Sequence, residues 1–264
     1  MSRLPVLFLS HGAPMLLLDP RLPAASFTAL GQRLADSREA RPKAILVASA
    51  HWLTRVPAVS NADRPETIHD FSGFPPALYE MTYPAPGAPE VAARAVELMK
   101  TAGLPAVAAP YGLDHGAWIP LKLLFPEADI PVAQLAIQPE ADPAHHFRMG
   151  QALAPLRDEG VLIVGSGQFT HNLREMDRGA APEQIAPWAA AFVDWTRARI
   201  AARDWPALLD YRAQAPHAVR AHPTDEHFLP LFVALGAAAA AGEIEHLPFG
   251  TSYGALAWDS YLIN

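Results

Sequence analysis

Imidazole titrates near neutral pH and is the commonest protein ligand for zinc and iron once thiolates are excluded. The chain has eleven histidines and no cysteine, so any metal must sit on His, Asp or Glu. Disulfides and iron–sulfur clusters are ruled out by the same observation. Three histidines repeat one local pattern, an apolar run followed by small residues. Val6-Leu7-Phe8-Leu9 leads to Ser10-His11-Gly12, and Ile45-Leu46-Val47 leads through Ala48-Ser49-Ala50 to His51-Trp52. Val161-Leu162-Ile163-Val164 leads through Gly165-Ser166-Gly167-Gln168-Phe169-Thr170 to His171-Asn172. Each histidine alone reads as a partly exposed loop residue; three repeats of strand, small residues and histidine favour a site. In open α/β sheets ligands bind beyond the carboxyl ends of the strands, so His11, His51 and His171 can converge if their strands run parallel.

Other segments carry the same kind of chemistry. In Thr224-Asp225-Glu226-His227-Phe228-Leu229-Pro230, Thr224 reads as a helix N-cap with Glu226 and His227 in the first turn, aimed back into a cleft. The bland alternative is a capping sequence with His227 in solvent. Gly112-Leu113-Asp114-His115-Gly116 reads as a polar kink before Ala117-Trp118-Ile119-Pro120. His69-Asp70-Phe71 and Gly73-Phe74-Pro75 form a loop whose two phenylalanines need cover, which suggests a substrate wall.

The elements that must position these residues follow from hydrophobic pattern. Pro5–Leu9, Ala44–Ala48, Pro131–Ile137 and Val161–Val164 are short apolar runs without alternation, as expected of parallel strands covered on both faces. Helical patterns separate or follow them at Glu90–Thr101, Pro143–Arg157, Glu183–Ala202 and Glu226–Ala241, with Gly242 as a stop. Ser252–Ile263 is apolar and aromatic and reads as an antiparallel or edge strand. The expectation is an α/β fold: a single domain over residues 1–264, with a mostly parallel central sheet flanked by helices and a metal site at the carboxyl ends of the strands.

Composition narrows the function. A net charge of -7 without a basic block argues against nucleic acid. No apolar stretch is long enough to span a membrane, and Ser10-His11-Gly12 does not resemble a signal-peptide cleavage site, so a cytoplasmic location is expected. Gly250-Thr251-Ser252-Tyr253-Gly254 matches a nucleophile elbow by chance, since no histidine follows the serine. Gly165-Ser166-Gly167 lacks the third glycine of a dinucleotide fingerprint, and no phosphate-binding loop or zincin helix is present.

Nearly end to end, the sequence resembles the class III extradiol ring-cleaving dioxygenases, in particular the DOPA 4,5-dioxygenase-like branch. The likeness rests on the ordered set Phe8 through Pro14, Ser49 through Trp52, Thr67 through Phe71, Asp114-His115-Gly116, Gly167 through Arg174, and Pro223 through Pro230. The resemblance implies a divalent non-haem metal on His11, His51 and His227. It implies His171 as acid/base group, near enough to be a fourth ligand in a zinc form, and His115 in contact with substrate or dioxygen. Relatives that use two histidines and a glutamate raise Glu226 as the alternative third ligand. The implied reaction inserts dioxygen beside the diol of a small aromatic substrate, with Fe(II) expected for activity and Zn(II) plausible as purified. The rivals are a zinc hydrolase and a non-enzymatic module that binds a ligand or peptide in the same cleft.

Overall fold

The computed structural model describes residues 3–36, 41–181, 183–239 and 242–264. The strands are β1 (Val6–Ser10), β2 (Ala44–Leu53), β3 (Ala58–Ser60), β4 (Val107–Ala109), β5 (Val132–Ile137), β6 (Val161–Gly167), β7 (Ile244–Ser252) and β8 (Leu256–Ile263). The helices are α1 (Ala24–Asp36), α2 (Pro76–Glu80), α3 (Pro89–Thr101), α4 (His115–Leu124), α5 (Pro143–Leu153), α6 (Pro187–Ala202), α7 (Trp205–Leu209), α8 (Tyr211–Gln214), α9 (Ala218–Ala221) and α10 (Leu229–Ala237). Together the strands form one sheet in the order β4-β3-β5-β2-β6-β1-β8-β7.

The four apolar runs become the parallel centre, β5-β2-β6-β1, and every residue of β1, β5 and β6 is buried. Alternation explains how one run serves two cores. Val6, Phe8, Leu46 and Ile163 face the layer containing α3, α5, α6 and α10, while Leu7, Leu9, Ile45 and Leu162 face the layer containing α1 and α4. Antiparallel partners close both flanks: β3 on β5, and the β7–β8 hairpin on β1. The strands leading to His11, His51 and His171 are therefore the adjacent trio β1, β6 and β2, with their carboxyl ends on one side.

Several expectations need correction. The tail strand is antiparallel but lies inside the sheet, because β7 covers its outer side; Ser252 belongs to β7, and Tyr253 turns the hairpin with φ of 53°. Thr224 does not cap α10. The helix begins later, at Leu229, where Pro230 fits a first turn that needs no N–H, and the Asp225 carbonyl takes the Phe228 and Leu229 amides. Residues 240 and 241, the expected end of this helix, lie outside the described residues. The predicted start at Glu183 moves to Pro187 for the same N-terminal reason. Pro143–Arg157 divides into α5 and a final 3-10 turn, Ala154–Arg157. The presumed kink at His115 is the first turn of α4, capped by Asp114, whose carboxylate accepts the Ala117 amide. Among the described residues, no helix is long and apolar enough to cross a membrane.

Candidate active site

His11, at the end of β1, is buried at 1% exposure, and its backbone is pinned by Gly167 of β6 through a 2.9 Å hydrogen bond. Gly12 then turns at φ of +64°, where a Cβ would run into the Trp258 indole. His51 is still within β2, and His227 sits on the bend before α10. Gly165 and Gly167 of β6 allow that bend to approach, since a Cβ on either would strike the carbonyl of Pro230 or of His227.

Three ring nitrogens meet at one point. His51 Nε2 lies 3.0 Å from His11 Nε2 and 3.3 Å from His227 Nε2. The opposite nitrogens settle the tautomers of the outer pair. Ser166 donates its hydroxyl hydrogen to the Gly116 carbonyl, so its oxygen accepts from His11 Nδ1 at 2.9 Å. The Glu226 carboxylate likewise accepts from His227 Nδ1 at 3.0 Å. Two Nε2 lone pairs therefore face His51, which has at most one proton to offer there. Burial, and then the neighbouring imidazoles, hold His11 and His227 well below the usual histidine range, and burial brings His51 down to about 3. A cation is the natural occupant of such a cluster.

His115 and His171 flank it. Asp70 grips His115 twice, accepting from its backbone amide and from Nδ1, both at 2.9 Å, and lies 3.6 Å from His51 Nδ1. The His115 ring is 3.9 Å from that of His51, and His11, His51 and His115 form one group able to hold a metal. The His171 ring stacks on His227 at 3.5 Å and 11°, and His171, Glu226 and His227 form a second such group. Burial lowers His171 to about 4, opposed by the Glu226 carboxylate. His11, His51, His115, His171 and His227 are thus brought together, while His69 stays in the aromatic loop with its Nε2 on the Met81 carbonyl at 2.9 Å. Glu226 arrives with them, on the far nitrogen of His227.

Beneath the cluster, Asp114 is fully buried, and desolvation raises it to about 6 despite donors from Ser49 and Gln134. Asp70, Ser166 and Asp114 carried no sequence mark of these roles, since their partnerships join distant segments. A cavity of about 800 Å³ opens over His51, His115, His171 and His227, walled by Phe71, Phe74 and Trp258 among others. Phe71 meets Phe74 edge-on at 5.4 Å and His115 at 5.8 Å, so the aromatic loop reaches the histidines. A second cavity, about 540 Å³, lies at the amino ends of β2 and β6 beside Lys43 and Glu159 and contains no histidine.

Residues 5–258 match the family model for the catalytic LigB subunit of aromatic ring-opening dioxygenase. This chain belongs to that family. The dioxygenase is 45% identical over 258 residues to a 4,5-DOPA dioxygenase extradiol of Beta vulgaris, covering 96% of this chain and 94% of the relative. It is 42% identical over 241 residues to the Escherichia coli (strain K12) protein of the same name, covering 89% and 86%. The crystal structure of an uncharacterised Escherichia coli K12 protein superposes with a TM-score of 0.81 at 37% identity, covering 99% of this chain and 100% of that one. The dioxygenase family and the histidine group agree on one metal per chain.

Proposed function

We propose that this dioxygenase opens a catechol ring beside its two hydroxyls, with ferrous iron held by Nε2 of His11, His51 and His227. The convergence of those three atoms carries the reading. With Glu226 engaged behind His227, the histidine is the better third ligand than the carboxylate, and Glu226 serves to orient it. Asp70 plays the same part for His115, which lines the cavity. A redox metal on three ligands supplies open positions and the electron transfer that lets triplet dioxygen react with a singlet diol, which zinc, with its filled d shell, cannot do.

The protein's own groups then have distinct tasks. Phe71 and Phe74 offer faces and edges to the aromatic ring and exclude water from one side. His171 lines the cavity and stands neutral at neutral pH, so it can accept a proton from a catechol hydroxyl and return it as the ring opens. His115 can hydrogen-bond to the bound diol or dioxygen. The product is a ring-opened hydroxymuconic semialdehyde, which is yellow.

The test is anaerobic loading with ferrous iron, then a panel of catechols in air. Yellow product with matching oxygen uptake is expected. Steady ester or amide hydrolysis by the zinc form, indifferent to dioxygen, would replace this reading with a hydrolase, and catechol binding without turnover in the iron form would replace it with a binding module.

A further inference from the structure

Among the described residues, the charged lining of the 800 Å³ cavity, histidines apart, consists of Asp19, Arg21 and Arg178. The first two satisfy each other. Arg21 donates to Asp19 from Nε at 3.0 Å, from Nη2 at 2.7 Å and from its backbone amide at 3.0 Å, and Tyr253 Oη adds a 3.4 Å contact. These bonds hold Asp19 at about 2, ionised and covered. Arg178 is differently placed. It is exposed, and among the described residues no carboxylate or carbonyl pairs with its guanidinium. Two arginines against one aspartate make the mouth of this cavity cationic in a chain of net charge -7.

The segment bearing Arg178 is built along the wall. Leu173 and Met176 line the cavity between His171 and Arg178. The turn is tied down where the Asp177 amide donates to the Tyr253 carbonyl and the Gly179 amide to the Asp177 carboxylate, both at 2.8 Å. Arg178 is close enough across the mouth for its charge to act on the Tyr253 phenol.

We infer that Arg178 is a specificity residue, binding a carboxylate at the end of the substrate's side arm. The assignment rests on the ring-opening reading above: with the hydroxyls among the histidines and the ring against Phe71, the arm must leave toward the mouth. An unpaired guanidinium there offers a planar fork matched to a carboxylate. An amine-terminated arm gains little, because Asp19, the one lining carboxylate among the described residues, is already covered by Arg21. The negative chain repels an anionic substrate at long range, so a local cation is what would admit one.

Binding separates this from catalysis. Zinc-loaded wild type, Arg178→Met and Arg178→Lys are titrated calorimetrically with 3-(3,4-dihydroxyphenyl)propionate and with its amide. Wild type should prefer the acid by about five- to tenfold, less in high salt. Arg178→Met should erase the preference without changing amide affinity, and Arg178→Lys should restore part of it. Equal affinities in wild type, or a preference that survives in Arg178→Met, overturn the assignment; binding of neither catechol overturns it together with the ring-opening reading. Iron-loaded turnover then tests that reading alone. An Arg178-dependent preference with no cleavage of either compound keeps the arm assignment and removes the reaction.

Discussion

At the scale of single residues, the site works by fixing which nitrogen is free on three of its imidazoles. Ser166 fixes His11, Glu226 fixes His227, and Asp70 fixes His115. His11→Ala, His51→Ala and His227→Ala should each lose most bound metal by elemental analysis while the far-ultraviolet circular dichroism spectrum is kept. Glu226→Gln should retain metal at roughly 10–100-fold lower affinity, as expected for a partner that acts through the ligand. A fully loaded His227→Ala beside an empty Glu226→Ala would make the carboxylate the ligand. His171→Ala should behave otherwise, because the His171 ring stacks on His227 and lines the cavity, while the three Nε2 atoms that converge are those of His11, His51 and His227. Iron content and catechol affinity should persist, and ring cleavage should slow by about 10²–10⁴-fold. Loss of iron with the activity would make His171 a ligand; unchanged cleavage would remove the proton-transfer role.

At the scale of elements, the site depends on close approach between β6 and the bend before α10. A Cβ on Gly167 would strike the His227 carbonyl, whose oxygen accepts the Gln168 amide at 2.8 Å. Gly167→Ala should therefore cost about 1–3 kcal/mol in urea denaturation and also weaken metal binding, since His227 must shift. Gly179→Ala, on an exposed turn, should stay within about 0.5 kcal/mol; equal losses in the two would refute the packing argument. The same elements show what a sequence can reveal. The four central strands were legible because strands buried on both faces read as unbroken apolar runs, and their order made the histidines converge. Helix α4 was not legible: it is buried on nearly all sides, so it shows no amphipathic stripe, and Pro120 interrupts it. β3 and β4 are too short to form a pattern. Thr224 misled because a capping residue type is also a common bend residue. Asp70 escaped because its bond to His115 spans 45 residues, a distance that no local motif records.

At the scale of the whole molecule, the fold buries an unusual number of neutral histidines, and this sets its response to acid. Burial lowers His11, His51, His146, His171, His222 and His227, the first and last well below their ordinary value, His146 and His171 to about 4, and His51 and His222 to about 3. The unfolded chain takes up protons on these groups near pH 6.5, while the native state refuses them until much lower pH. Stability contributed this way is complete above about 6.5 and falls as pH drops toward 4, because the unfolded state then binds more protons. Asp114, raised to about 6, acts in the opposite sense between its ordinary value of 3.8 and 6, but it is one group against six. His146 isolates the effect away from the metal cluster. Its Nδ1 donates to the Asp142 carbonyl at 2.9 Å and its Nε2 accepts the Gln138 amide at 3.2 Å, an arrangement that a second proton would break. The metal-free protein should show a urea midpoint that is flat from pH 8 to 7 and falls steeply from 6.5 to 4. His146→Gln should be less stable at pH 7.5, having lost a fitted donor, yet its stability should depend less on pH in the acid window, by up to about 1.4 kcal/mol per pH unit. A variant with the wild-type slope would show that His146 is protonated in the native state and that the acid sensitivity arises elsewhere. Loaded protein should fall still more steeply, since each ligand proton then also competes with the metal.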